Sequence, residues 1–166
     1  MKSKPKRIPE EYLPYVKRGF AGSGLVFLAI IEQMAEKSSE AEAREFGERV
    51  MRRAGEMAGE LMARKMKRHD LAGFAEGYKQ SFPNFDTIEE SDDRFSVRGD
   101  FCGAYDVWKD LGLSDEEISS LADIYCVRDV AFAEAFGPNI TLEFGARIMK
   151  GDPYCEWNHR VRKSRK

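Results

Sequence analysis

The feature that most constrains the fold is a change in the spacing of apolar residues toward the end of the chain. Before Gly137-Pro138 they recur mostly at helical spacing, whereas over residues 140–149 they alternate, as in a strand with one buried face. A turn at residues 150–153 lets residues 154–162 return as a second strand. The pattern predicts an α+β fold: an N-terminal helical layer packed on a small antiparallel sheet that ends in a C-terminal β-hairpin.

Two capping boxes predict where the longer helices begin. Ser39 precedes Glu42 by three residues, and Ser114 precedes Glu117 by the same distance, so both pairs can satisfy the free amides of a first turn. Further elements are expected along the rest of the chain: helices at 10–37, with an interruption near residues 22–24, at 71–80 and after Cys102-Gly103, and a strand at 95–101 paired with 84–89.

The helix that begins at Ser39 is predicted to run to about residue 67. Its buried face is predicted from apolar residues at steps of three or four: Phe46, Val50, Ala54, Met57 and Leu61. Small residues nearby should let a second helix approach closely: Ala54, Gly55, Ala58 and Gly59.

The length of 166 residues favours one domain, which we place at residues 10–162. A flexible basic lead is expected at 1–9 and a basic tail at 163–166. Nine of the 27 Lys and Arg residues lie in residues 1–7 and 160–166, which contain no acidic residue. The remainder of the chain therefore has 18 basic and 29 acidic residues and is strongly negative. Such an acidic body repels nucleic acid, and no nucleic-acid partner is expected.

The most apolar run, residues 19–31, is too short to span a bilayer and ends at Glu32. No membrane association is therefore expected. The residues after the run offer no signal-peptide cleavage site, and three cysteines suit a reducing compartment better than a disulfide framework. We expect a cytoplasmic protein.

A first candidate site lies on the helix that begins at Ser114. Cys126 and Asp129 are three residues apart and share one helix face, and Asp129 lies between the apolar residues Tyr125 and Phe132. A carboxylate near the core is costly unless it is paired or hydrogen-bonded. Asp129 is therefore either a structural residue, held by Arg147 or a backbone amide, or part of a catalytic or ligand-binding site.

A second candidate site lies on the returning strand, where Cys155, Trp157 and His159 should point to one face. Cys155 and His159 are too far apart along a strand for direct proton transfer, and Cys126 can meet His159 only through the tertiary fold. Each cysteine can also be a small buried apolar residue. The sequence has no CxxC or HxxxH pair that would support a metal site, so no cofactor is expected. The alternative is a zinc ion held by cysteines together with Asp129, Glu143 or His159.

The C-terminal half contains five distinctive segments: Tyr125-Cys126-Val127-Arg128-Asp129, Phe136-Gly137-Pro138-Asn139, the strand from Thr141 to Met149, Gly151-Asp152-Pro153-Tyr154-Cys155, and the Cys102 segment that leads to Trp108-Lys109-Asp110-Leu111-Gly112-Leu113. Together they resemble the L-2-amino-thiazoline-4-carboxylic acid hydrolase family. The resemblance covers about residues 100–160.

The resemblance implies hydrolytic opening of a small amino-acid-derived heterocycle of the 2-amino-thiazoline-4-carboxylate type, at a C–N or C–S bond. By matching position it implies that Cys126, Asp129 and Cys155 are the motif residues, which we expect to be catalytic. We infer the roles themselves: Cys126 as nucleophile or positioning thiol, and Asp129 as base or amidinium partner. The residues expected to bind the substrate are Cys102, Asn139, Glu143, Arg147 and His159, with Arg147 as the carboxylate anchor.

The same order of elements is also similar to vinyl-reductase-type small-molecule-binding domains, which bind a ligand and need not catalyse a reaction. Some hold zinc through a cysteine at the position of Cys155, but the cysteine expected in the preceding strand is replaced here by Arg147-Ile148. The expected partner is thus a small-molecule substrate or ligand, and the sequence leaves a homodimer open.

Overall fold

The computed structural model describes residues 9–162. The predicted lead, apart from Pro9, and the predicted tail lie outside the described residues. The helices are α1 (Leu13–Ala35), α2 (Glu40–Lys65), α3 (Leu71–Ser81), α4 (Gly103–Asp110) and α5 (Asp115–Phe136). The strands are β1 (Asp86–Glu90), β2 (Arg94–Gly99), β3 (Ile140–Ala146) and β4 (Cys155–Val161). None of the helices in this part of the chain is both long and apolar enough to cross a membrane.

The α+β prediction is confirmed. The four strands form one antiparallel sheet in the order β1-β2-β4-β3, in which β3 and β4 are the predicted C-terminal hairpin. Both predicted capping boxes are present: Ser39 with Glu42 at the start of α2, and Ser114 with Glu117 at the start of α5. β3 ends at Ala146, and a 3-10 turn and the left-handed Gly151, at a φ of 93°, lead the chain into β4.

The predicted interruption near residues 22–24 is wrong, because α1 is continuous through them. Gly24 is needed there for close packing rather than for a break. A Cβ at Gly24 would lie 2.7 Å from the Cβ of Ala104. The carbonyl of Gly24 accepts a 3.0 Å hydrogen bond from Nε1 of the buried Trp108. A glycine inside the helix thus lets α4 approach α1.

The predicted buried face of α2 is also wrong. Met57 and Leu61 are 57% and 54% exposed, whereas the buried residues are Ala43, Gly47, Met51, Gly55, Gly59 and Met62. α2 packs along α5, where a Cβ on Gly55 would overlap the carbonyl oxygen of Arg128 and a Cβ on Gly59 that of Phe132. The glycines, not the large apolar side chains, therefore mark the contact between these two helices.

The core consists of two clusters. One joins α1, α4 and α5 around Phe27, Trp108 and Tyr125. The other joins α3, α5 and the inner face of the sheet around Phe74 and Phe95. Residues from both clusters line a cavity, which therefore lies where the helical layer meets the sheet.

Candidate functional site

The cavity has a volume of about 300 Å³, which is the size of a small-molecule site. Nine of its 20 lining residues are aromatic: Phe20, Tyr78, Phe82, Phe85, Phe101, Tyr125, Phe132, Phe144 and Trp157. The polar and ionisable side chains of the wall are fewer: Cys102, Cys126, Arg128, Asp129, Arg147, Cys155 and His159. The site therefore combines a large apolar surface with a few polar groups that can orient a ligand.

Asp129 is the carboxylate of the cavity wall, and both of its oxygens have partners. Nε1 of Trp157 on β4 donates a 3.0 Å hydrogen bond to Oδ2. Nε of Arg128 lies 3.3 Å from Oδ1, in an ion pair whose two side chains are each 25% exposed. These contacts hold the carboxylate between α5 and the sheet.

Arg128 continues this polar network toward α1. Its Nη1 donates a 3.3 Å hydrogen bond to the hydroxyl of Tyr125, and its guanidinium lies 4.9 Å from the centroid of that ring. The Tyr125 hydroxyl in turn shares a 2.6 Å hydrogen bond with Ser23 on α1. Burial acts to lower the pKa of Arg128, but the charge of Asp129 and the contact with Tyr125 raise it above its ordinary value, so the guanidinium stays charged.

The three thiols of the wall are held in the neutral form. Burial raises the pKa of Cys126, and the nearby charge of Asp129 raises it further. Burial likewise raises the pKa of Cys102, and it raises that of Cys155 to about 12 although the Ile148 N–H donates a hydrogen bond to its sulfur. A thiolate nucleophile is therefore disfavoured at neutral pH in the ligand-free protein.

His159 is also neutral and is 1% exposed. Burial lowers its pKa to about 4, and Nδ1 lies 3.2 Å from the carbonyl oxygen of Phe95. Because that oxygen can only accept, Nδ1 carries the proton and Nε2 is the acceptor nitrogen. The ring packs against Phe74 and Tyr78, with centroids 4.7 and 5.5 Å away.

Arg147 is a second cation of the wall. Its Nη1 lies 2.7 Å from Oδ1 of Asp123, while Nζ of Lys150 lies 2.9 Å from Oδ2 of the same carboxylate. The guanidinium also lies 5.0 Å from the centroid of Phe144. Hydrogen bonds from Lys150, and then from Arg147, lower the pKa of Asp123 against the opposing effect of burial. Two cations thus face one carboxylate at this end of the cavity.

A second, polar recess adjoins the cavity and shares Phe101 and Cys102 with it. Its other walls carry Lys17, Asp100, Asp106 and Asp152. Cys102 therefore stands between an apolar and a polar space. Among residues 9–162, no three His, Cys, Asp or Glu side chains converge as a metal site requires.

The sequence model of the L-2-amino-thiazoline-4-carboxylic acid hydrolase family matches residues 21–158 of this chain. The chain belongs to this family. The match extends through the N-terminal helices and is not limited to residues 100–160, where the motifs were found. Comparison with curated proteins gives no significant match.

Among solved structures, this member of the hydrolase family is similar to trafficking protein particle complex subunit 3 from Naegleria fowleri, which was solved covalently bound to palmitic acid. The TM-score is 0.57 at 14% sequence identity, and the match covers 90% of this chain and 99% of the other. At this identity, the likeness shows the fold alone.

The hydrolase-family fold brings six of the eight expected site residues to the one cavity: Cys102, Cys126, Asp129, Arg147, Cys155 and His159. Asn139 and Glu143 do not line it, and both are exposed. Asn139 precedes β3 beyond the helix stop, and Glu143 lies on the outer face of β3, 3.4 Å from Nη2 of Arg160.

Two polar residues of the site were not predicted from the sequence. Arg128, rather than Arg147, is the cation beside Asp129, and Trp157 supplies its hydrogen bond. The alternation of Cys155, Trp157 and His159 was the signal that Trp157 shares the face of the other two. No comparable signal marked Arg128, because adjacent positions on a helix point in different directions.

Proposed function

We propose that the protein hydrolyses a small cyclic amidine-like substrate at a C–N or C–S bond within the cavity. The observation that carries the proposal is the fixed carboxylate of Asp129 in a largely apolar wall. In such surroundings a carboxylate favours a cationic or polarised nitrogen group over water. Membership of the hydrolase family supports the class of reaction.

Asp129 is the residue to which we assign the proton transfers. Water adds to the carbon of the protonated, amidinium-type ring and gives a proton to the Asp129 carboxylate. The carboxyl then returns that proton to the ring nitrogen or sulfur as its bond to the carbon breaks. The added hydroxyl becomes the product carbonyl and releases its proton to solvent. Because the raised pKa of Cys126 and Cys155 keeps both thiols protonated, they act here as contact residues of the wall.

Arg147 is the residue to which we assign the substrate carboxylate. Arg147 lines the cavity and bonds to Asp123 through Nη1, so its other guanidinium N–H groups can bind a second carboxylate. A guanidinium can bind a carboxylate through two parallel hydrogen bonds. With Asp129 at the amidine and Arg147 at the carboxylate, the two charges of an amino-acid-derived ring are matched.

The wall also points to a substrate larger than an unsubstituted ring. Nine aromatic side chains line the cavity, which is more apolar surface than a small charged heterocycle contacts. We therefore assign a substrate that carries an apolar alkyl or aryl substituent on the ring.

The test compares 2-amino-thiazoline-4-carboxylate with alkyl- and aryl-substituted analogues, with products identified by mass spectrometry. The wild-type protein should open a substituted ring faster than the parent ring. Asp129→Asn should lower the rate at least about 100-fold, because it removes the proton acceptor. Glu143→Gln is the matched control at an exposed carboxylate outside the cavity and should keep full activity. An Asp129→Asn variant as active as the wild type would refute the assignment.

A second candidate function is retention of an acyl chain without turnover. The aromatic wall with three cysteines favours it, and the trafficking subunit with covalently bound palmitic acid is of similar fold. Intact-mass measurement of the purified protein separates the two. A mass increase of one acyl group that hydroxylamine removes supports a thioester-linked chain, whereas the unmodified mass together with ring opening supports the hydrolase.

A further inference from the structure

One face of α1 is open to solvent although it carries almost no charge over its middle three turns. The exposed positions recur at steps of three and four residues: Tyr15, Arg18, Gly19, Gly22, Leu25, Val26, Ala29 and Glu32. Leu25 and Val26 are 43% and 61% exposed. A Cβ at Gly19 or Gly22 would meet no atom within 4 Å.

The opposite face of α1 already supplies what the monomer needs. Gly24, Phe27, Leu28 and Ile31 are buried there against α2, α4 and α5. An apolar face that the core does not use is typical of a contact with another protein. The small residues on it would let a second helix come close.

The charges on this face are arranged symmetrically. Arg18 and Glu32 each lie seven residues, or two helical turns, from Leu25. Within residues 9–162, neither side chain forms an ion pair. An antiparallel copy of α1 related by a twofold axis at Leu25 therefore places Arg18 of each chain opposite Glu32 of the other.

The same twofold axis places small residues of the two helices next to each other. Measured along the helix axis, Gly22 of one chain lies within about one residue rise, roughly 1.5 Å, of Ala29 of the other. The bulky Leu25 and Val26 then meet at the centre, where they bury the most apolar area.

We propose that the protein forms a homodimer through antiparallel packing of α1 against α1 of a second copy. This proposal is independent of the reaction assigned to the cavity.

The test measures the molar mass of the full chain by light scattering after size exclusion. The wild type should have twice the chain mass of 19.0 kDa at micromolar concentration. Val26→Glu puts two acids near the axis and should give a monomer with an unchanged helical spectrum. Met57→Glu is the matched control, since Met57 is 57% exposed on α2, and it should remain dimeric.

A charge exchange tests the register. Arg18→Glu should raise the dissociation constant at least about tenfold, because two acids then face each other. Adding Glu32→Arg to the same chain should restore dimerisation, since the opposite charges meet again. A monomeric wild type would overturn the proposal. So would a dimer that Met57→Glu disrupts and Val26→Glu does not, or an Arg18→Glu defect that Glu32→Arg fails to restore.

Discussion

The indole Nε1 of Trp157 donates a 3.0 Å hydrogen bond to Oδ2 of Asp129 and so ties β4 to α5 at the cavity wall. Because Arg128 engages the other oxygen, the carboxylate has little freedom to rotate. The Trp157 ring is fixed in turn by stacking on Phe85, at 5.1 Å between centroids and 12° between planes. Asp129 is thus positioned by two elements that are distant in sequence.

Trp157→Phe should separate the hydrogen bond from the ring. The phenyl group can keep the stacking on Phe85 but has no N–H to donate. Since hydrogen bonds to charged groups contribute about 1.5–3 kcal/mol and this one is partly exposed, we expect the free energy of unfolding to fall by about 1–2 kcal/mol. Ring opening should fall about tenfold, because Asp129 is then held by Arg128 alone.

Urea unfolding and product formation are measured on the same preparation. Tyr105→Phe is the control, because it removes a solvent-exposed 3.2 Å hydrogen bond to Asp115 and should change neither quantity. Wild-type activity in Trp157→Phe would show that its hydrogen bond does not position Asp129.

Gly55→Ala should destabilise the fold strongly. The added methyl group would overlap the carbonyl oxygen of Arg128 on α5, so the two helices must separate. We expect the free energy of unfolding to fall by about 3 kcal/mol or more. Gly19→Ala is the matched helical control, with both variants made in the monomeric Val26→Glu background because Gly19 lies on the proposed dimer face. Its Cβ would meet no atom of the chain within 4 Å, and it should gain about 0.5–1 kcal/mol. Equal effects in the two variants, measured by urea unfolding, would contradict the close packing of α2 on α5.

The sequence predicted the elements well and one helix face badly. Capping boxes and the change of apolar spacing are local signals, and the elements they predicted are present. The buried face of α2 depends on which helix lies beside it. Met57 and Leu61 have the spacing of core residues, but the approach of α5 selects Gly55 and Gly59 for the contact.

The candidate site was predictable only as far as each element orients its own side chains. Strand alternation placed Cys155, Trp157 and His159 on one face, and helix spacing placed Cys126 beside Asp129. Convergence of the two sets on one cavity is a property of the tertiary fold. The choice of Arg128 over Arg147 as the partner of Asp129 likewise depends on where Asp123 and Lys150 lie. The roles of these residues, like the likeness to vinyl-reductase-type domains, stay predictions.

His159 should make the stability of the fold depend on pH. The unfolded chain takes up a proton at this side chain near pH 6.5, whereas the folded chain does so only near pH 4. The unfolded state therefore binds more protons between these values. The contribution of His159 to the free energy of unfolding is fully present above about pH 6.5 and is lost as the pH falls toward 4. At about 1.4 kcal/mol per pKa unit, the loss is at most about 3.5 kcal/mol.

His159→Phe should flatten the plot of unfolding free energy against pH over this window. Met57→Gln, at a position that is 57% exposed and does not titrate, is the control and should leave the wild-type slope in place. A His159→Phe plot with the same slope as the wild type would mean that other groups govern the acid sensitivity.

The three thiols should react slowly with iodoacetamide at pH 7 in the folded protein. Burial raises the pKa of Cys102, Cys126 and Cys155, so the thiolate fraction is small. Since the thiolate is the reactive form, we expect labelling at least about tenfold slower than in the urea-unfolded chain, with rates that still increase above pH 9. Intact-mass measurement counts the labels over time, and peptide mapping assigns them. Rapid labelling of Cys126 at pH 7, with protection by a substituted thiazoline, would instead identify a thiolate nucleophile and remove the proton transfers from Asp129.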